Sequence, residues 1–292
     1  MKNVLLIAAV ILLYTAQSFL CKKYSDNYPG KSHMASPVFT IVSGFTVVIV
    51  SFLVSGFSFS AAPLTLLLGA VNAVTLFGYN HALIKASQSG PYSVVITFSI
   101  AGGISIPAVV AFFAFGDTLS PIKIISILVV FISVYMISHK TGDSSTSKKF
   151  LPSCLLLGVC NGAYGVFLDV QQRLTGSGEK EEMVALTYGV AVVISLISLF
   201  ITDRKEVIPA MKQTKKSLFF LIACSLVVAG AINLLVYIIP HVNVTILYTL
   251  DNAGVLLLSV LFSCLFFKEK LSPMNIVGCV TMCAALVCVS LF

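Results

Sequence analysis

The sequence predicts an all-helical integral membrane protein of about ten transmembrane helices in two inverted five-helix repeats, and three observations predict it. Of 292 residues, 58% are hydrophobic and 10% charged, against about 25% charged in ordinary soluble domains, and the mean hydropathy is +1.02. Too few charges remain to wet the surface of a soluble core of this length. Second, the apolar residues form long continuous runs, such as Val4 to Leu13 and Val255 to Phe267, rather than the alternation of barrel strands. Third, a shift of 152 residues places Thr97-Phe98-Ser99-Ile100-Ala101-Gly102 on Thr249-Leu250-Asp251-Asn252-Ala253-Gly254, and Phe115-Gly116-Asp117-Thr118-Leu119-Ser120-Pro121 on Phe267-Lys268-Glu269-Lys270-Leu271-Ser272-Pro273. Nine of 48 ungapped positions are identical, concentrated in the turn and its flanks.

The elements follow in order. The segment 3–21 opens like a signal peptide at Met1-Lys2-Asn3 but shows no small-x-small cleavage site, so it is expected to be a retained first helix. Segments 34–56, 62–84 and 91–115 come next, the last interrupted by Pro107, whose missing N–H should kink it. The fifth, 120–138, starts with Ser120 as N-cap and Pro121 at the first helical position. A polar stretch over 139–150 reads as a linker between a first repeat at 1–138 and a second at 151–292. Segments 151–171, 184–202, 217–239, 243–267 and 271–292 complete the set. Because each repeat holds an odd number of helices, the second enters the membrane from the opposite side, an arrangement found in secondary transporters with the site at the repeat interface.

Charge and cysteine usage narrow the function classes. The formal charge of +7 comes from basic residues in short clusters without interleaved aromatics, which argues for loop charges and against a nucleic-acid partner. The eight cysteines lie in or at the ends of apolar stretches with no CxxC pair, so no metal, cofactor or disulfide framework is expected. Four histidines near helix ends give no catalytic constellation, and no GxxxxGK[ST] loop is present, so neither an enzyme nor an ATP-driven pump is expected.

These features, with the Asn161-Gly162-Ala163-Tyr164 run in the sixth helix, resemble the EamA-like branch of the drug/metabolite transporter superfamily. The resemblance implies proton- or exchange-driven movement of small metabolites by alternating access, in a bacterial plasma membrane.

Candidate site residues come from the polar groups inside the spans, where each costs free energy. Asp251 lies about eight residues, roughly 12 Å, into the ninth helix with no cationic partner evident in the sequence. Desolvation there penalises its charged form, which suits it to carry a proton or to balance an amine. Tyr248, Thr249 and Asn252 flank it. Asn72, Tyr79 and Asn80 share a face of the third helix, and Asn233 and Tyr237 of the eighth. Gln17, Asn161 and Tyr164 mark the first and sixth helices, and Thr97 and Ser99 match Thr249 and Asp251 in the repeat. The alternative for any single Asn, Ser or Thr is an interhelical hydrogen bond. Asp169 and Arg173 read as an i,i+4 surface pair.

The expected partners are a small-molecule solute, the lipid bilayer and, as an option, a homodimer. Lys and Arg number 14 in the connections after odd-numbered helices and 4 on the other side, which places both termini outside; the resemblance implies termini inside. The rival functions are a receptor-like or structural membrane protein and an intramembrane enzyme.

Overall fold

The structure, a computed structural model, describes residues 2–56, 59–118, 120–139, 149–175, 179–202, 204–242 and 244–291. The centre of the expected linker, 140–148, lies outside them. Every regular element described is helical: α1 (Lys2–Asn27), α2 (Ala35–Val54), α3 (Pro63–Ser89), α4 (Tyr92–Phe115), α5 (Pro121–Ser138), α6 (Phe150–Thr175), α7 (Lys180–Thr202), a short α8 (Val207–Met211), α9 (Lys215–Ile238), α10 (Val244–Phe266) and α11 (Pro273–Leu291). Among the described residues eight helices are long and apolar enough to cross a membrane, and α10 and α11 carry shorter apolar stretches, Leu250–Phe266 and Pro273–Val289. The protein is therefore a multi-pass membrane protein.

Local chemistry sets the helix ends as expected. Ser120 caps α5, its Oγ accepting from the Lys123 N–H at 3.1 Å, with Pro121 next. Ser272 accepts from the Asn275 N–H at 3.2 Å and Pro273 opens α11. The ends of α4 and α10 are built alike. Gly116 is left-handed at φ 69°, Lys268 takes φ 56° at the matching position, and the Asp117 and Glu269 N–H groups reach back to Ala111 O and Ser263 O at 3.2 and 3.1 Å. This is the Schellman closure, for which glycine is the usual residue. Lys268 adopts it at a steric cost that Gly116 escapes.

The packing brings the two sequence halves together. Both α3 and α4 lie on α6, both α9 and α10 on α1, α3 on α7 and α2 on α9, while α2 pairs with α7 and α5 with α11. Two hydrophobic cores result. One draws mainly on α1, α2, α3, α6, α7 and α9, around residues such as Tyr24, Leu157 and Leu221; the other joins α4, α5, α10 and α11 through Ile100, Val134, Leu256 and Met282. Where α4 crosses α6 the backbones nearly touch: a Cβ on Gly102 would lie 2.0 Å from the Gly158 carbonyl oxygen. Small residues are what permit such an approach.

Candidate functional site

Between the two cores lies a cavity of about 500 Å³, within the range of small-molecule sites. One wall is Leu76, Leu83, Val228 and Ile232 from the larger core, and the facing wall is Ile96, Ile100, Val255 and Leu286 from the smaller. Its mouth lies where α4, α6 and α11 end and α5 begins. There Lys123, Asp169 and Arg173 line it, and the Arg173 and Asp169 side chains are about one-third exposed, at 35% and 39%.

The polar groups reach inward from this mouth. Asp251, on the second turn of α10, is 8% exposed; its Oδ1 is buried without a hydrogen-bond partner, and no ion pair reaches the residue among the described residues. The Oε1 of Gln17 on α1, which also lines the cavity, is likewise buried and unpartnered. Tyr79, Ser99, Asn161, Tyr164 and Asn252 also line the cavity. Asn161 is fixed in place, its Nδ2 donating to the Ser99 carbonyl at 2.8 Å. Pro107 lies on the wall four residues after Gly103, so the Gly103 carbonyl loses its helical donor at a point facing the cavity. Such a constellation can bind a small solute bearing a cationic or hydrogen-bonding group, and its acid can exchange a proton with whatever enters.

The far end is sealed. Tyr92 at the start of α4 shares a hydrogen bond with Ser18 at 2.7 Å and donates to Ser259 at 3.2 Å, tying α1, α4 and α10. Phe19, Phe262, Phe266 and Phe267 interlock with ring centroids 5.1–5.6 Å apart. The Lys23 ammonium stands 4.6 Å from the Phe267 ring centre.

Other expected site residues stand elsewhere. Asn72 is fully buried and accepts from Thr75 on its own helix. Asn80 donates to Thr40 on α2 at 3.1 Å, Thr97 to the Ser93 carbonyl at 2.8 Å, and Asn233 to the Ala229 carbonyl at 2.9 Å. Tyr237 is 51% exposed and does not line the cavity. None of these five lines the cavity, because a stripe at helical spacing identifies a face without saying which neighbour it meets. Tyr248 and Thr249 have side chains outside the described residues.

The sequence reading also missed part of the mouth. Arg173 does pair with Asp169 at 2.9 Å, but it binds Asp117 in addition, through two hydrogen bonds of 3.0 and 2.7 Å, with its guanidinium 4.5 Å over Phe115. The matching of Asp117 with Glu269 across the repeat was the available signal.

Residues 150–291 match the model of the EamA-like transporter family. The match covers the second half of the chain. An uncharacterized protein of Haemophilus influenzae is 27% identical over 189 residues, which is 63% of this chain and 61% of the relative; the match therefore spans less than two thirds of that relative's length. A crystal structure 16% identical to the chain superposes with a TM-score of 0.69, covering 99% of this chain and 96% of the other, so the fold of the whole chain is shared with a solved protein. The EamA-like half supplies Asn161, Tyr164, Asp251 and Asn252 to the cavity, and the first half supplies Gln17, Tyr79 and Ser99. The family matched by the second half is one of transporters, within the drug/metabolite transporter superfamily, and is consistent with the expectation of a non-enzyme without testing it directly.

Proposed function

We propose that the protein is a ten-span secondary transporter, built from two inverted five-helix repeats, that moves a small polar metabolite such as an amino acid, amine or drug-like solute by alternating access. One observation carries the reading: a cavity open at one end and sealed at the other, with a buried, unpartnered carboxylate oxygen of Asp251 in its wall. A channel would need a continuous path, and an ionisable residue inside a membrane span is by default a mark of function.

Two further observations support the repeat architecture. The packing pairs obey a twofold rule: α3 on α6 answers α9 on α1, α4 on α6 answers α10 on α1, and α2–α7 and α5–α11 answer themselves. The matching turns of α4 and α10 share one geometry. In this reading Asp251 is the proton carrier or the counter-charge for a solute amine, and Gln17, Tyr79, Ser99, Asn161, Tyr164 and Asn252 complete the solute site. The Lys and Arg distribution orients the open mouth to the outside, and the site supports proton-coupled transport or exchange.

Flux of amino acids and amines into proteoliposomes under an imposed pH gradient tests the reading. A gradient-dependent flux that Asp251→Asn reduces at least about tenfold, as expected for loss of an essential charged group, is the predicted result. Absence of flux for every solute, or an Asp251→Asn variant equal to the parent, overturns it.

A further inference from the structure

At the sealed end Glu269, in the α10–α11 turn, reaches the N-terminus of α4. Its carboxylate accepts from the Tyr92 and Ser93 backbone N–H groups and from the Ser93 hydroxyl, the last at 2.7 Å. An anion there satisfies donors that the helix leaves unpaired and complements its dipole. The contact draws the end of α10 onto the start of α4.

The repeat places Asp117 on Glu269, Phe115 on Phe267, and Val244 and Thr245, at the start of α10, on Tyr92 and Ser93. At the open end the same parts are arranged differently. Asp117 is held by Arg173, at the end of α6, through two hydrogen bonds. Arg173 lies over Phe115 as Lys23, at the end of α1, lies over Phe267. Each end of the bundle thus has a repeat-matched acid (Asp117 or Glu269), a base on the first helix of a half (Arg173 or Lys23) and a helix N-terminus, the open end carrying Asp169 on Arg173 in addition. At the closed end the acid is on the helix N-terminus; at the open end it is on the base.

We infer that Glu269 and Asp117 are alternating latches between α4 and α10. An acid on the N-terminus of the facing helix holds its end shut, and an acid withdrawn to the first-helix base leaves its end open. In the opposite state Asp117 leaves Arg173 and caps the Val244 and Thr245 N–H groups, while Glu269 leaves α4 for Lys23. Both are positioning residues: neither needs to touch solute. The inference rests on the alternating-access reading proposed above.

Ser259 is the reporter. It is fully buried beneath the seal, yet it matches Pro107, which lines the open cavity, so it becomes accessible when the sealed end opens. The full chain carrying Ser259→Cys is reconstituted and treated with N-ethylmaleimide, and modification at position 259 is followed by mass spectrometry. Adding Glu269→Ala raises that rate roughly three- to tenfold, and adding Asp117→Ala lowers it by a similar factor, because each removes a charge-assisted contact that favours one state. Opposite signs cannot come from general loosening of the fold. Shifts of the same sign, or no shift in either variant while position 259 reacts measurably in the parent, overturn the latches and leave alternating access standing. A position 259 that stays inert in the folded parent and both variants, while the denatured chain reacts fully, overturns alternating access as well.

Discussion

Asn275 shows how much one buried amide can join. It is fully buried; its Oδ1 accepts from the Ser272 N–H and hydroxyl at 2.7 and 2.8 Å, and its Nδ2 reaches the Met136, Ile137 and His139 carbonyls at 3.0, 2.8 and 3.0 Å. It therefore caps the start of α11 and satisfies carbonyls that the end of α5 would otherwise leave orphaned. Asn275→Ala should cost about 1–3 kcal/mol, the penalty for stranding buried polar groups, and appear as a lower unfolding temperature in detergent; an unchanged temperature contradicts this role. Nothing in the sequence marked Asn275, since its partners are carbonyls 136–139 residues away. At the cavity mouth, the hydrogen bonds from Arg173 hold the Asp117 carboxyl below its ordinary value of 3.8. A carboxyl lowered in the folded state contributes its contact above the unfolded value and loses it as pH falls through the folded one. In the conformation with the open mouth the Asp117–Arg173 bridge should thus be intact at neutral pH and be lost under acid conditions, and the carboxyl ¹³C shift of Asp117 should titrate below 3.8. A midpoint at or above that value contradicts the bridge.

Helices α4 and α6 meet through their glycines, and this contact ranks two substitutions. A Cβ on Gly102 meets the Gly158 backbone at 2.0 Å, whereas one on Gly254, its repeat counterpart, meets the flexible Ile11 side chain at 2.8 Å. Gly102→Ala must push two backbones apart and should exceed the usual overpacking cost of about 1–3 kcal/mol, while Gly254→Ala stays within it. Thermal unfolding of the two variants checks the order; equal losses contradict it. The apolar runs made all ten long helices legible, because bilayer-length hydrophobicity is a strong signal. Their ends were less so. Expected to stop near residue 21, α1 continues to Asn27 through the Lys22–Asp26 pair, and α6 passes 171 to reach Thr175 through Asp169–Arg173. Hydropathy marks the stretch fit for lipid, and polar i,i+4 pairs carry the helix beyond it. The short α8, Val207–Met211, is too brief to give a periodic signal.

At the scale of the molecule, each hydrophobic core takes helices from both sequence halves, and the cavity lies between the cores. Packed cores move as bodies rather than deform continuously, so rocking α4, α5, α10 and α11 against the other long helices is the motion this division favours. Depth along a span was enough to single out Asp251, and the repeat was enough to suggest an interface site. Which neutral residues face the cavity was not legible: Tyr79 lines it while Tyr237, expected on a polar face of the eighth helix, is exposed, because the packing partner of each helix face depends on contacts between distant segments. Lys123 and Arg173 were not legible as mouth residues, Arg173 being read only as the surface partner of Asp169, because they stand at helix ends, where basic residues ordinarily face water. The most direct test of the proposal that the protein is a transporter in which Asp251 handles solute or proton is flux into proteoliposomes driven by a pH gradient, compared between the parent and Asp251→Asn. The account predicts gradient-driven flux of at least one small amine or amino acid, reduced at least about tenfold by the substitution; no flux at all, or equal flux in both proteins, would contradict it.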